Sequence, residues 1–358
     1  MTYSEERLPL ALGELYASYG YRKYRMRRFE EYALYVDNMD FLADKNVITF
    51  GGADGKLLAL RPDVTLSIIN NTKADCDCGE KLYYNEAVFR LSGDDGYAEI
   101  RQTGVEVIGK VDILAMAEIV ELIIKSLAML SDSYALDVSH SGLIHGIVSS
   151  LPVDSKCKAK IYDEIARKGV HNLRAIVRSE GLPEETAASL SALCALSGAP
   201  KDVLPALKDI AVGDEAVGAL NQLTRLCELL DKRGLGDKIR LDFSVVNHLD
   251  YYNGIIYNGF IREYPKAVIV GGQYDKLPEK LGKRAQAIGF AVNLEATPYA
   301  AAPPVDIALV YGEDDDVSKV MERADELRAQ GKSVYVGMSA PKCRIGTVLA
   351  FGKEEDLC

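Results

Sequence analysis

Two strand-like runs joined by a short polar loop, then a capped helix, constrain this chain more than any other feature. Lys81 to Phe89 and Glu99 to Ile108 carry the β-branched and aromatic residues of strands. Between them Ser92-Gly-Asp-Asp-Gly96 is a strong loop signal. Asp112 stands where an N-cap is needed, and apolar residues recur at helical spacing from Ile113 to Leu130. The expected layer is an antiparallel sheet with helices packed on it, an α+β architecture.

The flanking segments fit around that layer. Leu8, Leu12, Leu15 and Tyr19 share a helical face, and Gly20 marks its end. A basic stretch follows at Arg22, Lys23, Arg25, Arg27 and Arg28; it reads equally as an anion or partner contact and as a solvated strand edge. Gly51-Gly52 and Asp54-Gly55 predict hairpin turns, with a strand at Leu57–Leu60 and a helix from about Leu66. From Gly142 to Gly236 short apolar-periodic stretches alternate with breakers, which predicts a helical insertion. Strand texture returns from Ile239 to Phe260, where Asn253-Gly254 and Asn258-Gly259 could each be a hairpin turn or a bulge. Gly271-Gly-Gln-Tyr-Asp275 reads as a loop, and Ala287–Glu295 as a strand entering a helix. Ala300–Pro304 reads as a linker. Beyond it lies a small α/β unit with seven Lys/Arg against eleven Asp/Glu. The expected division is residues 1–300, containing the insertion 142–236, and residues 304–358.

Composition narrows the function classes. The 358 residues carry a formal charge of −11, a poor match for non-specific nucleic-acid or anionic-membrane binding. The most apolar stretch, Ile113–Leu130, is interrupted by Glu118, Glu121 and Lys125, so no membrane helix is expected. Seven scattered cysteines and no apolar signal core at the N-terminus predict reduced thiols and a cytoplasmic protein. Cys76 and Cys78 form a lone C-x-C without a second ligand pair, and only four histidines occur, so no metal site and no cofactor are expected.

No hydrolase, zincin, P-loop or dinucleotide motif is present. The polar residues that recur in strand contexts are Asp63, Thr65, Arg90, Gln102, Glu106, Asp250, Tyr251 and Tyr252. On one sheet face they would offer carboxylates to a cation, hydrogen bonds to polar atoms and rings to a planar group. That suits an amino acid with an aromatic or imidazole side chain; ordinary sheet-surface polarity is the competing reading.

Six motifs in order sharpen this. Leu60-Arg-Pro-Asp-Val-Thr65, Tyr83-Tyr-Asn-Glu-Ala-Val-Phe-Arg90, Gln102-Thr-Gly-Val-Glu-Val-Ile-Gly109, Leu249-Asp-Tyr-Tyr252, Gly271-Gly-Gln-Tyr-Asp275 and Ile288-Gly-Phe-Ala-Val-Asn-Leu-Glu295 together resemble the catalytic module of histidyl-tRNA synthetase, a class II aminoacyl-tRNA synthetase. The resemblance runs from about Tyr16 to Glu295, with the tail similar to a shortened anticodon-binding domain. It implies a histidine pocket at Asp63, Thr65, Arg90, Gln102, Glu106, Tyr251 and Tyr252.

The departures fall on the adenylation machinery. Asn247-His248 stands where the family has Arg-Gly. Ala296 occupies the place of the third motif's closing arginine, and Gln273 that of the arginine in Gly-Gly-Arg-Tyr-Asp. The first motif's usual proline is replaced near Arg27. The loop from Leu91 to Glu99 is short and acidic, adding Asp94, Asp95 and Glu99 where phosphate-binding arginines are expected. Such a site is poorly built to stabilise a pentavalent phosphate.

A kept amino-acid pocket with a lost ATP site resembles the ATP phosphoribosyltransferase regulatory subunits. That resemblance implies no catalysis by this chain and no tRNA. It implies a homodimer inside a hetero-octamer with a short catalytic subunit, which is activated and placed under histidine feedback inhibition in the first step of histidine biosynthesis. A divergent histidyl-tRNA synthetase and a free-standing histidine sensor are the other readings of the same residues.

Overall fold

A computed structural model of the chain describes residues 5–42, 45–75, 77–92, 96–245, 251–297, 305–343, 345–352 and 356–357. The chain divides into two compact units, Met1–Pro298 and Tyr299–Cys358. The expected linker, Ala300–Pro304, lies outside the described residues, as do Cys76, Asp94, Asp95, Asn247, His248, Leu249 and Asp250.

The strands of the first unit are β1 (Arg22–Lys23), β2 (Phe29–Glu31), β3 (Thr49–Gly51), β4 (Leu57–Leu60), β5 (Glu80–Ser92), β6 (Gly96–Gly109), β7 (Tyr134–His140), β8 (Ser197–Gly198), β9 (Arg240–Asp242), β10 (Ile255–Ile261), β11 (Ile269–Gln273) and β12 (Gln286–Asn293). Among the described residues nine of them form one sheet in the order β1-β5-β6-β12-β11-β10-β7-β9-β8, and β2-β4-β3 form a second. The centre is antiparallel throughout, from β5 against β6 to β10 against β7. The expected antiparallel sheet needs one amendment: β1 joins β5, and β9 joins β7, in parallel. Both parallel partners return to the sheet after long excursions, so no tight turn dictates their direction.

The hairpin inferred from Lys81–Ile108 is the longest pairing of the unit, Glu80 opposite Ile108 through Ser92 opposite Gly96. The helix Ile113–Leu130 follows, with Asp112 accepting from the Ala115 amide at 3.0 Å. It covers one sheet face with the helix Arg7–Ser18, and Tyr16 bonds Ser126 across the two at 3.0 Å. Five helices from Ser155 to Lys232 build the insertion, interrupted by the short β8. Glu121 fastens it to the covering helices, accepting from Arg233 at 2.5 Å and from the Tyr19 hydroxyl at 2.7 Å.

Two local expectations are corrected. Gly271-Gly-Gln-Tyr-Asp275 is no loop: its first three residues end β11. The glycines that suggested a loop mark close sheet packing, since a Cβ on Gly271 would lie 2.2 Å from the Gly289 carbonyl oxygen. Asn258-Gly259 is neither hairpin nor bulge; it sits inside β10 in unbroken register with β7 and β11.

The second unit contains a sheet of β13 (Val305–Val310), β14 (Val334–Gly337), β15 (Ile345–Ala350) and β16 (Asp356–Leu357), in the order β14-β13-β15-β16. The helix Val317–Ala329 buries Val320, Ala324 and Leu327 against it.

A buried ion pair pins the arginine-rich stretch to the sheet. Arg61 and Glu86 meet at 2.7 Å with side chains 4% and 16% exposed. Arg61 also donates to the carbonyls of Met26 and Arg27 at 3.2 Å and to that of Ala87, while Glu86 accepts from the Met26 amide at 3.1 Å. Removing one partner strands the other charge. Arg61→Met should therefore lower stability by ~3–5 kcal/mol in urea unfolding, while Arg61→Met with Glu86→Leu should cost clearly less.

Candidate functional site

The sheet face opposite the covering helices carries a recess of about 170 Å³. That is well below the ~300–1,000 Å³ of pockets for drug-sized ligands, and fits a single amino acid better. All seven residues that the resemblance assigns to a histidine pocket line it: Asp63, Thr65, Arg90, Gln102, Glu106, Tyr251 and Tyr252. Strand alternation explains the β6 contribution, because Gln102 and Glu106 are an even number of positions apart and share a face. By the same rule Glu99 belongs to the other face, opposite Phe89, and does not line the recess. Asp63 and Thr65 do not sit in strands. Asp63 lies in the turn before the helix Thr65–Asn71 and caps it, accepting from the Leu66 amide at 2.8 Å.

Glu106 is the centre of the site. It is 2% exposed, in the middle of the sheet. Thr65 donates its hydroxyl to Oε1 at 2.8 Å, and the Tyr274 hydroxyl donates to Oε2. The carboxyl has room only because its neighbour on β12 is glycine: a Cβ on Gly289 would lie 1.8 Å from Oε2. Burial raises its pKa to about 8, and the nearby charge of Asp63 adds to the rise against the pull of the two hydroxyls. Burial likewise raises Asp63, opposed by the Leu66 amide and the charge of Arg90. Two carboxyls that are costly to ionise alone form a site that gains from an incoming cation.

The rest of the wall is aromatic. Tyr251 stacks on Tyr274 with centroids 5.5 Å apart at 30°, and meets Tyr252 edge-on at 4.8 Å and Phe41 at 5.9 Å. Arg90 donates Nε–H to the Pro62 carbonyl at 3.2 Å, which fixes the guanidinium at the rim. Tyr274, Tyr84, Phe41 and Asp40 also line the recess and were not among the residues chosen from the sequence. Tyr274 stood inside a quoted motif, next to Gln273; nothing in its spacing told that its hydroxyl reaches Glu106.

Ala296, at the place of the third motif's arginine, is buried in the short turn Leu294–Ala296 and offers only a methyl group. The preceding Glu295 pairs with Arg101 at 2.7 Å. Gln273 is buried behind the recess and bonds Asp275. Among the described residues no cluster of His, Cys, Asp and Glu is arranged to hold a metal ion, and no helix is long and apolar enough to cross a membrane.

The sheet order and the recess on its open face define a class II aminoacyl-tRNA synthetase-like protein. The sequence model of histidyl-tRNA synthetase matches residues 2–297. The ATP phosphoribosyltransferase regulatory subunit of Caldanaerobacter subterraneus subsp. tengcongensis is 30% identical over 335 residues, spanning 90% of this chain and 86% of that relative. An ATP phosphoribosyltransferase regulatory subunit/histidyl-tRNA synthetase from Bacillus halodurans shares the fold with a TM-score of 0.79 at 23% identity, over 97% of this chain and 93% of that one. The ATP phosphoribosyl transferase (HisG:HisZ) complex from Thermotoga maritima includes a chain of the same fold, with a TM-score of 0.64 at 15% identity, over 82% of this chain and 98% of that one. The chain belongs to the histidyl-tRNA synthetase family and, within it, to the ATP phosphoribosyltransferase regulatory subunits.

The raised Glu106 pKa has a testable sign. An unfolded glutamate titrates near ~4.3, so between there and about 8 the folded chain holds a proton that the unfolded chain releases. Stability from this group is full at acid pH and is lost as pH rises through that window. Relative to Glu106→Gln, the unliganded wild type should lose up to ~1.4 kcal/mol per pH unit between about pH 5 and 8 in urea unfolding. Parallel curves for the two proteins would refute it.

Proposed function

We propose that this chain is a non-catalytic regulatory subunit of ATP phosphoribosyltransferase. It activates a short catalytic subunit and brings that enzyme under feedback inhibition by histidine. The reading draws on the family of the chain and is carried by one observation: the seven residues line one recess around a buried carboxyl. Asp63 and Thr65 would receive the α-ammonium group. Glu106 would accept from the imidazole N–H, with Tyr251 and Tyr252 against the ring plane. Gln102 adds amide hydrogen bonds, and Arg90 supplies a guanidinium for the carboxylate.

The ATP half of the site is the weaker half. A methyl group at Ala296 cannot stack on or neutralise a nucleotide as an arginine does. The position of Asn247-His248 adds no permanent cation to the sequence. Adenylation needs charge stabilisation at the pentavalent phosphate, and these substitutions remove it. The acidic tail argues against tRNA as a partner in the same way. The family assembly is a homodimer within a hetero-octamer of four regulatory and four catalytic chains, acting in the cytoplasm, and this chain fits that role.

Feedback by this route requires linkage. Histidine must bind the low-activity assembly more tightly than the active one, or it shifts nothing. The deciding experiment assays the short catalytic subunit of the same source alone, with this chain, and with this chain plus histidine. Activation that histidine reverses is expected, with inhibition weakened at least tenfold in Glu106→Ala. Failure to activate, together with histidine-dependent ATP–pyrophosphate exchange by this chain, would replace the regulatory reading with a synthetase.

A further inference from the structure

The aromatic wall of the recess has no strand of its own. Tyr251 and Tyr252 lie in the bend that precedes β10, so their placement depends on whatever fixes that bend. The fixing point is the next residue. The Asn253 amide closes a two-way contact with one partner: Nδ2 donates to Asp275 Oδ2 at 3.2 Å, and Oδ1 accepts from the Asp275 backbone amide at 2.8 Å. Its backbone amide donates to the Gln273 carbonyl at 3.0 Å.

Among the described residues the Asp275 carboxylate is in turn held by neutral donors. It accepts from Gln273 Nε2 at 2.7 Å, Gln286 Nε2 at 3.3 Å and the Ala287 amide at 3.0 Å. Gln273 directs its Nε2 there although its own Oε1 is left buried and without a partner. Between Gln273 and Asp275 stands Tyr274, which stacks on Tyr251 and donates to Glu106. One carboxylate therefore ties the bend carrying Tyr251 and Tyr252, the end of β11 just before Tyr274 and the start of β12.

The geometry points to Asn253 and Asp275 as a positioning pair that sets the aromatic wall against the ligand. Neither residue lines the recess; both act through Tyr251, Tyr252 and Tyr274. The inference rests on the histidine reading and names what holds that site in its binding shape.

Calorimetric titration of histidine into the full chain, alongside thermal unfolding, tests it. Asn253→Ala should weaken histidine binding about tenfold or more, since small misplacements of positioning groups are expensive. Its unfolding midpoint should stay within about 3 °C of wild type, as for changes away from the core. Asn253→Asp sets two carboxylates face to face, which can share a proton only at acid pH. The ratio of its Kd to that of wild type should thus fall at least threefold from pH 8 to pH 5.5. The titratable groups packed around the pair are Lys276 and Glu279 on the exposed side of the helix Lys276–Lys280, with Tyr252, Tyr274 and Glu106 on the pocket side. They are common to both proteins and cancel in the ratio.

Wild-type affinity in Asn253→Ala would overturn the proposal, as would a loss matched by global destabilisation with a pH-independent ratio in Asn253→Asp. A wild-type chain that takes up no histidine would overturn the histidine reading and this inference with it. Binding by wild type alongside an indifferent Asn253→Ala would overturn this inference alone.

Discussion

Placing a carboxyl in the middle of a sheet is the constraint to which the rest of this structure answers. Glu106 is nearly inaccessible to water, and a buried carboxylate without partners is prohibitively costly. The fold meets that cost in three ways. Gly289 leaves the space for the group, the hydroxyls of Thr65 and Tyr274 bond its two oxygens, and the proton is retained to about pH 8. Each answer comes from a different part of the chain. The helix start at Thr65, the hairpin strand β6, the end of β11 and the strand β12 must all be in register before the site exists.

The same economy runs through the supports. Arg61 and Glu86 tie the arginine-rich stretch to β5, and Glu121 ties the insertion to the helices that cover the sheet. Asp275 ties the aromatic bend to β11 and β12. None of these polar anchors lines the recess, so the lining remains free to meet a ligand.

Much of the fold was legible because its signals are local. The loop Ser92–Gly96 between two β-rich runs, the cap at Asp112 and the apolar period after it each act within a few residues. That seven residues would share one recess was legible because a family pattern of motifs groups them, although their own spacing does not. Gly271-Gly-Gln-Tyr-Asp275 misled for a physical reason: glycine marks both a turn and a close crossing of strands, and only the neighbouring β12 distinguishes them.

By itself the sequence determined the α+β class, the order of segments and the long hairpin with its following helix. The tertiary structure alone decided which polar groups meet. That Tyr274 bonds Glu106, that Gly289 makes the space for it and that Asp275 holds Asn253 are contacts between residues 22 to 183 positions apart. Such contacts depend on strand register and on which face each side chain takes, and no local preference of the chain encodes either.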